Sequence, residues 1–159
     1  LIMKKKISLI AIIFSLLILN SCGFKKINKV GNNTFSINEI STSGDKTISY
    51  LVKNIISINA PSKSSNRLNI EIDFTKSKES KEKNISKKTT KYELRITANV
   101  KITEKNTLKV INKSFEKTIT YQVDDSHSAT LTNEKNSIED LSEKIAEDII
   151  NFLYIYFEA

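Results

Sequence analysis

"KYELRITANVKIT", Lys91–Thr103, decides how this chain folds. Tyr92, Leu94, Ile96, Ala98, Val100 and Ile102 alternate with Glu93, Arg95, Thr97, Asn99 and Lys101. A period of two puts all the apolar side chains on one face of a strand and the polar ones on the other. Upstream, "RLNIEIDFT" (67–75) repeats the pattern, with Leu68, Ile70, Ile72 and Phe74 on one side. Downstream, "EKNT" (104–107) has the length of a hairpin turn. The strand that follows starts in one phase, at Leu108 and Val110, and continues in another, at Phe115, Ile119, Tyr121 and Val123. A change of phase calls for an extra residue, so a bulge or break is expected between Ile111 and Ser114. "TFSINEI" (34–40) reads as a further short strand.

Two segments change the period. Ile48, Leu51, Val52, Ile55 and Ile56 recur at helical spacing; Ser43 or Asp45 is placed to cap the start, and Pro61 bars extension. Ile138, Leu141, Ile145, Ile149, Phe152 and Tyr156 make a second, longer stripe, with Thr132 or Asn133 as the expected cap. Asp140, Lys144 and Asp148 stand at i,i+4 spacings suited to ion pairs on its outer face. The order is β-α-β-β-β-α. Strands with one apolar face require cover on one side only, which predicts an α+β two-layer sandwich: a four-stranded sheet with both helices on one face.

Charge is unevenly distributed. "KSKESKEKNISKKTTK", Lys76–Lys91, holds seven lysines and two glutamates, whereas Glu134–Glu158 holds seven acids and two lysines. The basic run reads as a loop between the second and third strands, either a solvated tip or a contact for an anionic ligand. Catalytic chemistry is not visible. His127 is the sole histidine, and its neighbours Asp124, Asp125, Ser126 and Ser128 are too close in sequence to converge on one reacting atom. One His and one Cys cannot build a zinc site. Glycines at 23, 31 and 44 give no phosphate cradle. No cofactor is expected, and the chain reads as a binding or structural protein, not an enzyme.

The single cysteine lies in "LLILNSCGFKK", 16–26. Before it come Lys4, Lys5 and Lys6 and an uncharged apolar run from Ile7 to Leu19. Thirteen helical residues span about 20 Å, short of a bilayer core of about 30 Å. A positive start, a short apolar stretch and a small residue before a cut site are the marks of an export signal. Leu19-Asn20-Ser21-Cys22 resembles the lipobox of bacterial lipoproteins. The expected processing is cleavage after residue 21 and covalent lipid on Cys22, with Met3 as the initiator; the other reading is an uncleaved anchor helix. The expected organisation is a signal peptide over 1–21, a flexible tether over 22–33 and an α+β domain over 34–159. Loss of the three signal lysines lowers the formal charge from +7 to +4, weak ground for a nucleic-acid partner, and none is expected.

Taken together, Ser21-Cys22-Gly23-Phe24-Lys25, the β-α-β-β-β-α order and "SHSATLTNEKNSIEDLSEKIAEDIINFL" resemble the LPS-assembly lipoprotein LptE family in its alphaproteobacterial form. The family often has Arg-Pro-Leu-Tyr after Cys-Gly-Phe, where this chain has Lys-Lys-Ile-Asn. The resemblance implies a lipid-anchored protein on the periplasmic side of the outer membrane. It would sit as a plug in an LptD-like β-barrel, support barrel assembly and help insert lipopolysaccharide into the outer leaflet. Lipid A phosphate would then be the anionic partner of Arg67, Lys76, Lys78, Lys81, Lys83, Lys87, Lys88 and Lys91. Arg95, mid-strand, would face the barrel wall. The alternative is a lipid-anchored periplasmic binding module or transporter accessory lipoprotein.

Overall fold

The computed structural model describes residues 34–61 and 63–158. The signal segment, Cys22 and the tether lie outside the described residues. Strand β1 (Ser36–Gly44) leads into helix α1 (Lys46–Asn59), followed by β2 (Arg67–Lys83), β3 (Thr89–Glu104), β4 (Val110–Gln122) and helix α2 (His127–Glu158). The sheet order is β1-β2-β3-β4, with β1 parallel to β2 and the other neighbours antiparallel. A parallel pair needs a crossover, and α1 provides it. The α+β two-layer architecture follows the expectation from hydrophobic periodicity.

Alternation places Leu68, Ile70, Ile72 and Phe74 of β2 and Leu94, Ile96, Ala98, Val100 and Ile102 of β3 under the helices, all essentially buried. Ile48, Val52 and Ile56 of α1 and Leu141, Ile145, Ile149 and Leu153 of α2 close the core from above. Leu51 and Ile55 belong to the same stripe but sit at its margin, half-buried. Asp45 is the α1 cap, its carboxylate accepting from the Thr47 and Ile48 amides at 3.0 and 3.2 Å. Gly44 precedes it at φ +89°. The helix stops at Asn59, two residues before Pro61.

Four expectations fail, each for a local reason. β3 and β4 pair without a bulge, from Thr103↔Val110 to Lys91↔Gln122. The change of phase lies in the turn, where Leu108 adopts φ +57° and both Leu108 and Val110 stay exposed. Ile111, Phe115, Ile119 and Tyr121 are then in one phase, and the intervening core-side positions are Lys113 and Lys117. Inward lysines on an edge strand guard it against pairing with another chain. Lys117 reaches Asp148 of α2 at 2.7 Å, so Asp148 is not left for Lys144, which pairs with Asp140 at 2.8 Å.

Helix α2 starts at His127, ahead of the expected Thr132 or Asn133; Ser126 accepts from the Ala129 amide at 3.0 Å. Finally, the basic run is not a long loop. β2 continues to Lys83 and β3 begins at Thr89, which leaves Asn84–Lys88 as the turn. Charged alternation carries no hydrophobic signal for a strand. Main-chain pairing to the strongly patterned β3 extends β2 regardless. The result is an arm, since β1 stops pairing at Phe74 and leaves the outer edge of β2 open from Thr75 onward.

Candidate functional site

The face of the sheet away from the helices is uncovered and polar. Its rows run straight across the strands: Ser41, Glu71, Lys101 and Asn112 in one, Ser43, Asp73, Asn99 and Ser114 in the next. The groups satisfy one another. Ser43 Oγ donates to Asp73 at 2.5 Å, Lys101 Nζ to Glu71 at 3.1 Å, Ser114 Oγ to Asn99 at 3.0 Å and Thr97 Oγ1 to Glu116 at 3.3 Å. Arg95 lies exposed here, 3.6 Å from Glu93 and 3.7 Å from Glu116. The rows frame a shallow depression of about 380 Å³ bordered by Ser43, Glu71, Asp73, Asn99 and Lys101. Short, cross-paired polar side chains make a wet surface that needs no apolar cover.

The root of the arm carries the second group of charges, on the helix side. Lys76 pairs with Asp45, the α1 cap, at 2.7 Å. Lys78 pairs with Glu134 of α2 at 2.6 Å, and Glu134 also accepts from the Tyr121 hydroxyl at 3.0 Å. The Lys78 ammonium stands 4.5 Å from the Tyr92 ring centre, a cation–π contact. The Lys76 hydrogen bond holds the Asp45 carboxyl below its usual range. Burial pushes Glu134 up, but Lys78 and Tyr121 outweigh it and the net shift is down. The same Glu134 bond raises Lys78. These two lysines tie the starts of both helices to the sheet.

Further out, Lys81 pairs with Glu93 at 2.5 Å and Lys91 with Glu82 at 2.7 Å. Lys83, Lys87 and Lys88 form no ion pair with another described residue. Lys87 is at φ +61°, and the Asn84 carboxamide accepts the Lys88 amide at 2.9 Å, which closes the turn. Ile85, in the same turn, stands fully exposed. The sequence showed this only as one Ile in "KNISKK".

The residues expected to act together therefore separate. Lys76, Lys78, Lys81 and Lys91 have protein partners, and Lys83, Lys87 and Lys88 share the tip. Arg67 begins the 17-residue β2 that Lys83 ends, so it lies at the opposite end of the sheet, about 50 Å away. His127 is exposed at the start of α2. No group of three or more potential metal ligands occurs among the described residues.

The LptE family, described as lipopolysaccharide-assembly, matches residues 30–153. No curated protein sequence matches the chain. The fold is shared with rare lipoprotein B from Shewanella oneidensis, at TM-score 0.58 and 12% identity over 75% of this chain and 96% of that one. It is likewise shared with an uncharacterized lipoprotein B from Nitrosomonas europaea, at TM-score 0.53 and 16% identity over 81% and 90% of the two chains.

Proposed function

Because the chain belongs to the LptE lipopolysaccharide-assembly family, we propose that it is an outer-membrane lipoprotein, lipidated at Cys22, that serves an LptD-like β-barrel. It sits in the barrel from the periplasmic side as a plug, supports barrel assembly, and presents the arm tip to lipopolysaccharide. The family assembles lipopolysaccharide and catalyses no reaction. The observation that carries the plug reading is the uncovered sheet face. Several of its polar groups, Ser43–Asp73, Lys101–Glu71 and Ser114–Asn99 among them, are already paired across the strands, and a water-lined barrel interior can hydrate the rest.

Photo-crosslinking in intact cells tests this. A crosslinker replacing Asn99 or Asn112, both on the open face, is expected to capture a β-barrel protein. One replacing Glu147, exposed on α2, is expected to capture much less. Capture from the helix side alone, or no barrel from either side, removes the plug reading and favours a free lipid-anchored binding module.

A further inference from the structure

We infer that the outer edge of β1 takes an added strand, an extended segment of the barrel protein itself; the inference rests on the barrel partnership proposed above. β1 pairs with β2 alone, so its other edge meets no strand among the described residues. Ser36 lies opposite Arg67 and donates its amide to the Asn66 carbonyl at 2.8 Å. Past the bulge between Ile37 and Glu39, the equivalent positions are Glu39, Ser41 and Ser43, opposite Asn69, Glu71 and Asp73. Main-chain groups alternate in direction along a strand, so Ile40 and Thr42 turn their N–H and C=O groups to the open edge.

The neighbouring open edges are guarded. β4 carries Lys113 and Lys117 on its core side, and the part of β2 beyond β1 carries Lys76 and Lys78. Charged side chains in such places keep an edge from pairing. β1 has no charged residue from Ile40 to Gly44, and its bulge comes before that stretch. A groove of about 230 Å³ lies between β1 and α1, lined by Ile37, Ile40, Ala60 and Pro61, with Lys53 and Ser57 on its helix wall. An open edge beside a groove is the arrangement that strand addition uses: main-chain bonds give affinity, and alternate side chains enter the groove. Lys53 is exposed and forms no ion pair among the described residues. The occupant is therefore an extended segment that sends aliphatic side chains into the groove and an acidic one toward Lys53.

The position of the edge selects the source. β1 pairs only with Arg67–Phe74, the half of β2 away from the arm. With the arm leading into the lumen, this edge lies at the periplasmic mouth of the barrel. The closed barrel wall has no free edge to offer, and periplasmic turns of such barrels are short. The segment is then chain that precedes or follows the barrel strands.

The test is photo-crosslinking in intact cells, with the captured peptide identified by mass spectrometry. A crosslinker replacing Ser57 is expected to capture the barrel protein on a segment outside its barrel strands, while one replacing Asn99 reports the plug itself. Thr42→Pro removes an outward N–H without breaking a bond of the sheet. It should lower the Ser57 adduct about tenfold, the worth of one good hydrogen bond, and leave the Asn99 adduct unchanged. Lys53→Glu, on the exposed face of α1, should lower the same adduct by repelling the acid, and it carries the test if urea unfolding shows that Thr42→Pro is not folded. A Ser57 adduct undiminished in a folded variant, or mapped to barrel strands or to a second copy of this chain, overturns the added strand. So does the absence of that adduct while Asn99 captures the barrel, and in each of these cases the plug reading stands. No barrel from either position removes the plug reading, and the added strand falls with it.

Discussion

Gly44→Ala tests the joint that places α1 beside the arm. Gly44 has φ +89°, and a Cβ built there would lie 2.0 Å from the Phe74 carbonyl oxygen and 2.9 Å from its carbon. Two costs combine. Positive φ disfavours an alanine by about 1–2 kcal/mol. The overlap must then be relieved by backbone, because Phe74 is paired with both Gly44 and Ala98 in the middle of the sheet. Moving that carbonyl by about 1 Å disrupts one or two ladder bonds, at about 0.5–1.5 kcal/mol each. The sum is about 1.5–5 kcal/mol out of a domain stability of about 5–15. Urea unfolding followed by circular dichroism should show the midpoint fall by roughly 1–2 M. Gly44→Asn separates the causes, since asparagine tolerates positive φ better than alanine but carries the same Cβ. If overlap dominates, Asn destabilises about as much as Ala. A loss below about 0.5 kcal/mol for Ala, the range of ordinary surface changes, would refute the reasoning.

Cys22→Ala should accumulate as an uncleaved precursor; a mature-size protein in the membrane fraction would count against lipidation. Lys83→Gln, Lys87→Gln and Lys88→Gln together should weaken lipopolysaccharide binding by the mature protein and flatten its salt dependence, because solvent-exposed charge contacts are screened; an unchanged affinity and slope would assign these charges to solubility. Acid unfolding should report the Glu134 and Asp45 pairs. Both carboxyls are held below their ordinary range when folded, so their contribution is complete above about pH 4.3 and is lost as pH falls further. Lys78 is raised, so its side of the pair is lost only as pH climbs past about 10.4. Glu134→Gln should cost about 1 kcal/mol at pH 7, given the partial exposure of Lys78, and shrink the fall in Tm between pH 5 and 3; an undiminished fall would show that Glu134 is not responsible.

The parts of the fold that were legible in the sequence are those where burial imposes a period. Tyr92 to Ile102 and Leu68 to Phe74 alternate because helices cover one face, and the stripes of α1 and α2 answer them. Legibility ends where burial ends. Lys76 to Lys83 form a strand with no apolar alternation, because pairing with Leu94, Tyr92 and their neighbours, and not burial of their own side chains, holds them. Leu108 and Val110 mislead for the opposite reason: they are apolar residues in a turn and at a strand start that the core does not use. The first turn of α2 was hidden in "DDSHSAT", where polar residues suited to a loop serve as cap and first turn.

The charge run shows why composition alone could not locate a site. Seven lysines in sixteen residues suggested one basic loop, yet strand geometry sends alternate members to opposite faces. Lys76 and Lys78 turn toward the helix starts and meet acids there; Lys81 turns the other way and meets Glu93. Past Glu82 the pairing becomes irregular and the strand gives way to the turn, where no element packs close enough to offer a carboxylate. Lys83, Lys87 and Lys88 stay unpaired among the described residues because they lie beyond the reach of the acidic helix, whose first acid, Glu134, is taken by Lys78. Net charge therefore concentrates at the tip through pairing at the root. Reversing Glu134 to Lys should consequently loosen the root, while the field at the tip, about 15 Å away along the strand and beyond a Debye length at physiological salt, changes little. Stability and lipopolysaccharide binding should respond to separate sets of lysines. A Glu134→Lys variant that stayed folded yet lost binding as fully as the tip variants would contradict that division.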